Sequence, residues 1–280
     1  MPLPLVKEVY IAVFASLKKK PAILIPFLVF AALEVLALGI VGFAPSAPFR
    51  QILGPPIIAF FGEKYLQYPL NLLLLPNITY QNRIMLALIA GPLLTGAAAA
   101  MVFDLYSRKA IRLTGALGKA LRKYVHLFTV VMLLALTLYY AAKIVNPVWL
   151  KFTISILIQA AFIYTIPFIV IGNEKIINSL IKSFALFRRL FIPTIIIVGL
   201  PMMLYIPIIG LKANAVFSGG GFFPASALLV SVLAILTASL GIDPLLTIGS
   251  TYLFLYGGKQ ARGNFKHNAL QYAIKKEELI

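Results

Sequence analysis

Six long apolar stretches leave this 280-residue chain with one kind of fold open to it. They cover residues 22–44, 84–105, 125–144, 149–171, 191–211 and 226–256. A helix needs about 20 predominantly apolar residues to cross a hydrocarbon core about 30 Å thick, and each stretch meets that length. Many are rich in Ile and Val, which in water favour strands. In lipid every backbone N–H and C=O must be bonded within the segment, so runs this long form helices. The alternation of a membrane β-barrel is missing. The expected fold is therefore an all-α polytopic membrane bundle of six transmembrane helices. It forms a single membrane domain over 1–280, with a basic tail at 257–280.

Charge orients the bundle. The chain is 61% hydrophobic and 12% charged, against about 45–50% apolar and about 25% charged for a soluble domain. Its formal net charge is nevertheless +17. Nineteen of the 25 basic residues fall in four segments: Lys7 and Lys18–Lys20; Arg108, Lys109, Arg112, Lys119, Arg122 and Lys123; Lys175, Lys182, Arg188 and Arg189; and Lys259, Arg262, Lys266, Lys275 and Lys276. Only Arg50, Lys64, Arg83, Lys143, Lys151 and Lys212 fall toward the other side, in the alternate loops or at the span ends beside them. The positive-inside rule then puts both termini in the cytoplasm, in the cytoplasmic (inner) membrane. The first apolar stretch near Val9–Leu17 lacks a small-residue cleavage site, so no cleaved leader is expected. Because the basic residues flank apolar spans, nucleic acid is not an expected partner.

Three basic segments share a pattern: an amphipathic helix, a basic cluster, then a span. Val6, Val9, Tyr10, Val13, Phe14 and Leu17 lead into Lys18, Lys19 and Lys20. Ala110, Leu113, Leu117, Leu121 and Tyr124 form the second stripe, with Arg108, Arg112, Lys119, Arg122 and Lys123 around it. Ile177, Leu180, Ile181, Phe184 and Phe187 form the third, with Lys182, Arg188 and Arg189. Spacings of three and four residues mark helices with one apolar face. Such helices are expected to lie in the membrane interface, their basic residues facing anionic lipid headgroups. Plain basic connecting loops are the simpler alternative.

The segment from Pro167 through Glu174 and on to Leu190, with its Ile177-Asn-Ser-Leu-Ile-Lys-Ser-Phe-Ala-Leu-Phe-Arg-Arg run, resembles the six-span membrane domain attached to some glycerophosphoryl diester phosphodiesterases, and related stand-alone membrane proteins. Phe14-Ala-Ser-Leu-Lys-Lys-Lys-Pro21 and Leu253-Phe-Leu-Tyr-Gly-Gly-Lys-Gln-Ala-Arg262 resemble the ends of that domain. Gly257-Gly258 stands where the family has an acidic residue. The resemblance implies a six-span membrane fold. These residues hold no phosphodiesterase domain, so that activity does not carry over.

Ionisable groups inside spans are costly and by default functional. Glu34 and Asp243 are the two deep acids, each 13 residues from Pro21 or Tyr256. At about 1.5 Å per residue both lie roughly 20 Å from the cytoplasmic end of a continuous helix. Gly241 and Pro244 predict a kink beside Asp243, with Thr247, Ser250 and Thr251 following it. A broken span carrying an acid and hydroxyls is a layout used for ion and substrate sites. No Lys or Arg lies opposite the acids within a span, so the expectation is that each is protonated or bonded to neighbouring backbone.

No cysteine is present, and His126 and His267 have no metal-ligand spacing. No phosphate loop or triad occurs, so no catalytic residue, cofactor or metal is expected. The expected role is a non-enzymatic scaffold or accessory subunit of a membrane assembly, partnered by anionic lipids, by other membrane proteins or by itself. The alternative is a small transporter or permease for a lipid-like or small solute, using Glu34 and Asp243.

Overall fold

A computed structural model describes residues 3–67, 75–204, 206–207 and 224–260. The described residues are helical, with no strand among them. The long helices are α1 (Leu3–Lys19), α2 (Ile25–Phe43), α3 (Phe49–Phe61), α4 (Leu75–Ile89), α5 (Gly91–Tyr106), α6 (Leu113–Arg122) and α7 (Tyr124–Ile144). They continue as α8 (Val148–Phe162), the short α9 (Thr165–Val170), α10 (Ile176–Arg189), α11 (Phe191–Met203), α12 (Pro224–Leu236) and α13 (Asp243–Gln260). A π-helical turn, Thr237–Ile242, joins α12 to α13.

Four helical stretches are long and apolar enough to cross a membrane: Pro21–Ile40, Tyr124–Ala141, Trp149–Val170 and Leu229–Gly257. Two bent pairs raise the number to six if each counts as one span. They are Gln81–Ile89 with Gly91–Tyr106, bent by 58°, and Ile176–Arg189 with Phe191–Met203, bent by 99°. The chain is thus a helical, membrane-embedded protein. The expected span at 191–211 is helical to Met203, and part of its later portion lies outside the described residues. So do residues 70–74 and 219–223 and the tail beyond Gln260.

The bend between α4 and α5 has a local cause. Pro92 has no N–H and its ring crowds the carbonyl four residues back, so a straight helix through Gly91-Pro92 is disfavoured. Beyond the bend, α5 is the central helix: Gly96, Ala97–Ala100, Met101 and Val102 are all buried. Small side chains let neighbours approach closely. A Cβ on Gly96 would lie 2.9 Å from Leu127 Cδ1 and 3.3 Å from Ala120 Cβ.

Two apolar clusters result. The larger joins Val9 and Val13 of α1, Phe27 of α2, the α5 face, Ala116 and Ala120, Leu127, Tyr164, Leu186, Ile197, Ile248 and Leu253. The smaller, toward the other end of α2, joins Ala31, Leu38 and Ala44 to Ile57, Tyr65, Leu66 and Ile235.

The amphipathic segments form helices α1, α6 and α10; α1 buries Val6, Val9 and Val13 of its apolar stripe, whereas α6 and α10 bury mostly other residues. On α10, Ser179 and Ser183 are buried, while Ile177 is 71% and Ile181 62% exposed. Ser183 Oγ donates to the Ala161 carbonyl at 2.8 Å. On α6 the buried residues are Ala116 and Ala120, and Leu121 points outward. Small residues face the helices behind them, where space is short, joined at the end of α10 by Leu186 and Phe187, while Ile177, Ile181, Phe184 and Leu121 face away.

The connections into α6 and α10 share a device. Arg108 and Asn173 both adopt left-handed backbone, with φ of 57° and 56°. Just beside them Lys119 Nζ donates to both Asp104 oxygens at 2.8 and 2.9 Å, and Lys182 pairs with Glu174. Each time, an acid at or just beyond a helix end holds a lysine of the following amphipathic helix.

Candidate functional site

Glu34 lies in the middle of α2, on the side facing α4 and the π-helical turn, and its side chain is 1% exposed. Ser239 lies within that turn, fully buried. Asp243 opens α13 immediately before Pro244. A proline there has no N–H to return to the carbonyl four residues earlier. The preceding residues take the wider π form, a local adjustment frequent at functional positions.

Arg83, from α4, completes the cluster. Its Nη1 donates to Glu34 Oε1 and Oε2, both at 2.9 Å, and to Ser239 Oγ at 2.9 Å. Its Nη2 donates to Asp243 Oδ2 at 2.6 Å. Ser239 Oγ in turn donates to Glu34 Oε2 at 2.5 Å. The Phe30 ring lies 5.6 Å from the guanidinium carbon, adding a cation–π contact. One guanidinium therefore ties together α2, α4, the π-helical turn and α13.

The expectation that the two acids lack a facing cation is corrected here. The apolar stretch begins at residue 84, which by hydropathy leaves Arg83 in the preceding loop. Helix α4 in fact starts at Leu75, so Arg83 sits well inside a helix packed against α2 and α12. Its long stem and planar fork reach two carboxylates at once, which a lysine cannot do.

The other expected members behave differently. Ser250 and Thr251 donate back to the Thr247 carbonyl within α13, at 3.1 and 2.6 Å. Their hydroxyls are spent on the helix, and Ser239 is the hydroxyl that joins the acids. Of the basic residues expected to face lipid headgroups, Lys18, Lys19, Lys20, Arg108, Arg112, Lys119, Arg122, Lys182, Arg188 and Arg189 are exposed, and Lys123 is half-exposed. Lys119 and Lys182 are also paired with Asp104 and Glu174.

A second polar group lies where α1, α5 and α13 meet. Ser16 Oγ and the Tyr252 hydroxyl are 2.5 Å apart, and the Tyr106 ring meets those of Tyr252 and Tyr256 edge-on. On α1 the Tyr10 hydroxyl is buried without a hydrogen-bond partner among the described residues, and burial pushes its phenol above the ordinary value. These aromatic rings pack against one another and fill the junction. Among the described residues no group of three or more His, Cys, Asp or Glu is placed to hold a metal ion. No protein-family model, curated protein or solved structure matches this chain.

Proposed function

We propose that this protein is a six-span carrier of the cytoplasmic membrane, moving a small or lipid-like solute around the Glu34–Arg83–Asp243–Ser239 cluster, with both termini in the cytoplasm. One observation carries the reading: an arginine bridges two intramembrane acids at a π-helical interruption of the last span. Buried ion pairs bring little net stability compared with apolar packing. Ionisable groups at membrane depth accordingly mark ion and substrate pathways. Interrupted spans supply the backbone that lines such sites. The four elements joined by Arg83 can separate only by breaking charged hydrogen bonds, so the cluster is placed to couple binding to helix movement.

The test is reconstitution of the full chain in liposomes, with currents recorded on a solid-supported membrane during concentration jumps of amino acids, sugars, amines and short-chain phosphates. The expected result is a current for at least one solute class that Arg83→Met abolishes. Correctly inserted protein with no solute-evoked current across that panel would sink the carrier reading.

A second reading is favoured by a separate observation. The α10 face bearing Ile177, Ile181 and Phe184 points away from the protein beside exposed Arg188 and Arg189. A scaffold or accessory subunit lying on the membrane uses such a face for anionic lipid and for partner subunits. It predicts a stoichiometric partner retained on mild solubilisation. Recovery of the chain alone, under conditions that preserve other membrane complexes, counts against it.

A further inference from the structure

The cluster has an unequal charge count. Glu34 from α2 and Asp243 from α13 face one cation among the described residues, Arg83 from α4, and one hydroxyl, Ser239 from the π-helical turn. With all three ionised the group carries one net negative charge, with the Phe30 ring against its guanidinium and Glu34 almost wholly buried. An uncompensated charge in such surroundings is costly, and the usual remedy is to take up a proton.

The two acids are not equivalent. Both Glu34 oxygens accept hydrogen bonds, and its side chain is 1% exposed. Among the described residues Asp243 accepts from Arg83 through Oδ2 alone and no hydrogen bond reaches its Oδ1, and its side chain is 27% exposed. One open oxygen suits a proton. A bound metal cation needs several oxygen ligands at once, and the cluster has committed the others.

We propose that Asp243 holds one exchangeable proton on Oδ1, and that its uptake and release switch the Arg83–Asp243 link. With the proton on, Asp243 is neutral and the charge-assisted bond to Nη2 weakens, leaving Arg83 on Glu34 and Ser239. With the proton off, Arg83 again bridges both acids and ties α4 to α13. The proton enters and leaves through the exposed side of Asp243, and no other group is transferred. The proposal deepens the carrier reading by naming the coupling ion, yet the proton site can exist whether or not a solute moves.

Infrared pH titration of the full chain in lipid nanodiscs tests it, following the protonated-carboxyl band in sodium-free buffer. Subtracting Asp243→Asn from the parent should leave one titrating carboxyl. Glu34→Gln, which leaves Arg83 facing a single acid, should move the midpoint of that carboxyl to lower pH, and Asp243→Glu should keep it at a displaced frequency, which guards against a variant that fails to fold. Arg83→Met should move its midpoint to higher pH. Sodium added at fixed pH should not displace it. A difference spectrum without that band, a midpoint that Glu34→Gln leaves unchanged or raises, or displacement by sodium would each overturn the proposal. The band present without solute currents removes the carrier reading alone; currents present without the band remove the proton site alone.

Discussion

At the scale of single residues, Arg83 is the position on which most depends. Arg83→Met leaves Glu34 and Asp243 facing each other without a cation. Removing one partner of a buried ion pair costs about 3–5 kcal/mol, because the remaining charge is stranded. Arg83→Lys should fall between, since an ammonium cannot span both carboxylates as the guanidinium fork does. Adding Glu34→Gln and Asp243→Asn to Arg83→Met should recover much of the loss, because the stranded charges go with the arginine. Thermal unfolding in detergent, read for the single, double and triple variants, checks this; equal losses in the single and triple variants would contradict it. The two acids were legible in the sequence as isolated charges inside apolar stretches. Arg83 was not, because polar Gln81 and Asn82 precede it and make the helix start look like a loop. The available signal was a physical demand: two acids at one depth call for a cation, and Arg83 borders the nearest span.

At the scale of helices, packing around α5 rests on small residues. Gly96→Ala puts a methyl 2.9 Å from the end of Leu127 and 3.3 Å from Ala120 Cβ. Overpacking of this kind costs about 1–3 kcal/mol, with Leu127 able to give more than Ala120. Gly39→Ala on α2 meets nothing within 4 Å. Its expected effect is neutral to stabilising by up to about 1 kcal/mol, as for any helix-interior glycine replaced by alanine. Melting temperatures of the two variants should therefore move apart. The latches into α6 and α10 are weaker features. Lys119 and Lys182 are each 49% exposed. A double-mutant cycle on Asp104 and Lys119 should thus give a coupling of about 0.2–1 kcal/mol, shrinking as salt is added. Helix periodicity made α1, α6 and α10 visible in the sequence. The buried side of α10 was not visible, because periodicity locates an apolar stripe without saying whether protein or lipid meets it. Ser179 and Ser183 are buried there for their size, which hydropathy does not measure.

At the scale of the whole molecule, the apolar stretches and the segregation of charge made a helical membrane protein readable directly. The 58° bend was less so, since Gly91-Pro92 changes direction without interrupting the apolar run, whereas the 99° turn at Leu190 falls where the basic segment gives way to the stretch at 191–211. The orientation is a separate matter, resting on nineteen basic residues in one set of segments against six in the other. Of the six, Arg83 is bound within the bundle to two acids, so it no longer counts as a loop charge. Its removal makes the contrast steeper, and the positive-inside argument grows stronger. The chain contains no cysteine, so a single introduced thiol can report location without background. Ser46, between α2 and α3, and Asn178, on α10, are both exposed and lie at opposite faces in the proposed topology. In intact cells a membrane-impermeant maleimide should label Ser46→Cys and leave Asn178→Cys unmodified until the membrane is opened. The reverse pattern would invert the molecule and turn the exposed basic residues of α6 and α10 away from the cytoplasmic leaflet. Labelling of both sites before opening would mean that α10 lies on the same side as the α2–α3 turn. An odd number of crossings would then have to be lost between residues 46 and 178, and the 58° bend between α4 and α5 would be the first place to look for a segment that enters and leaves by one face.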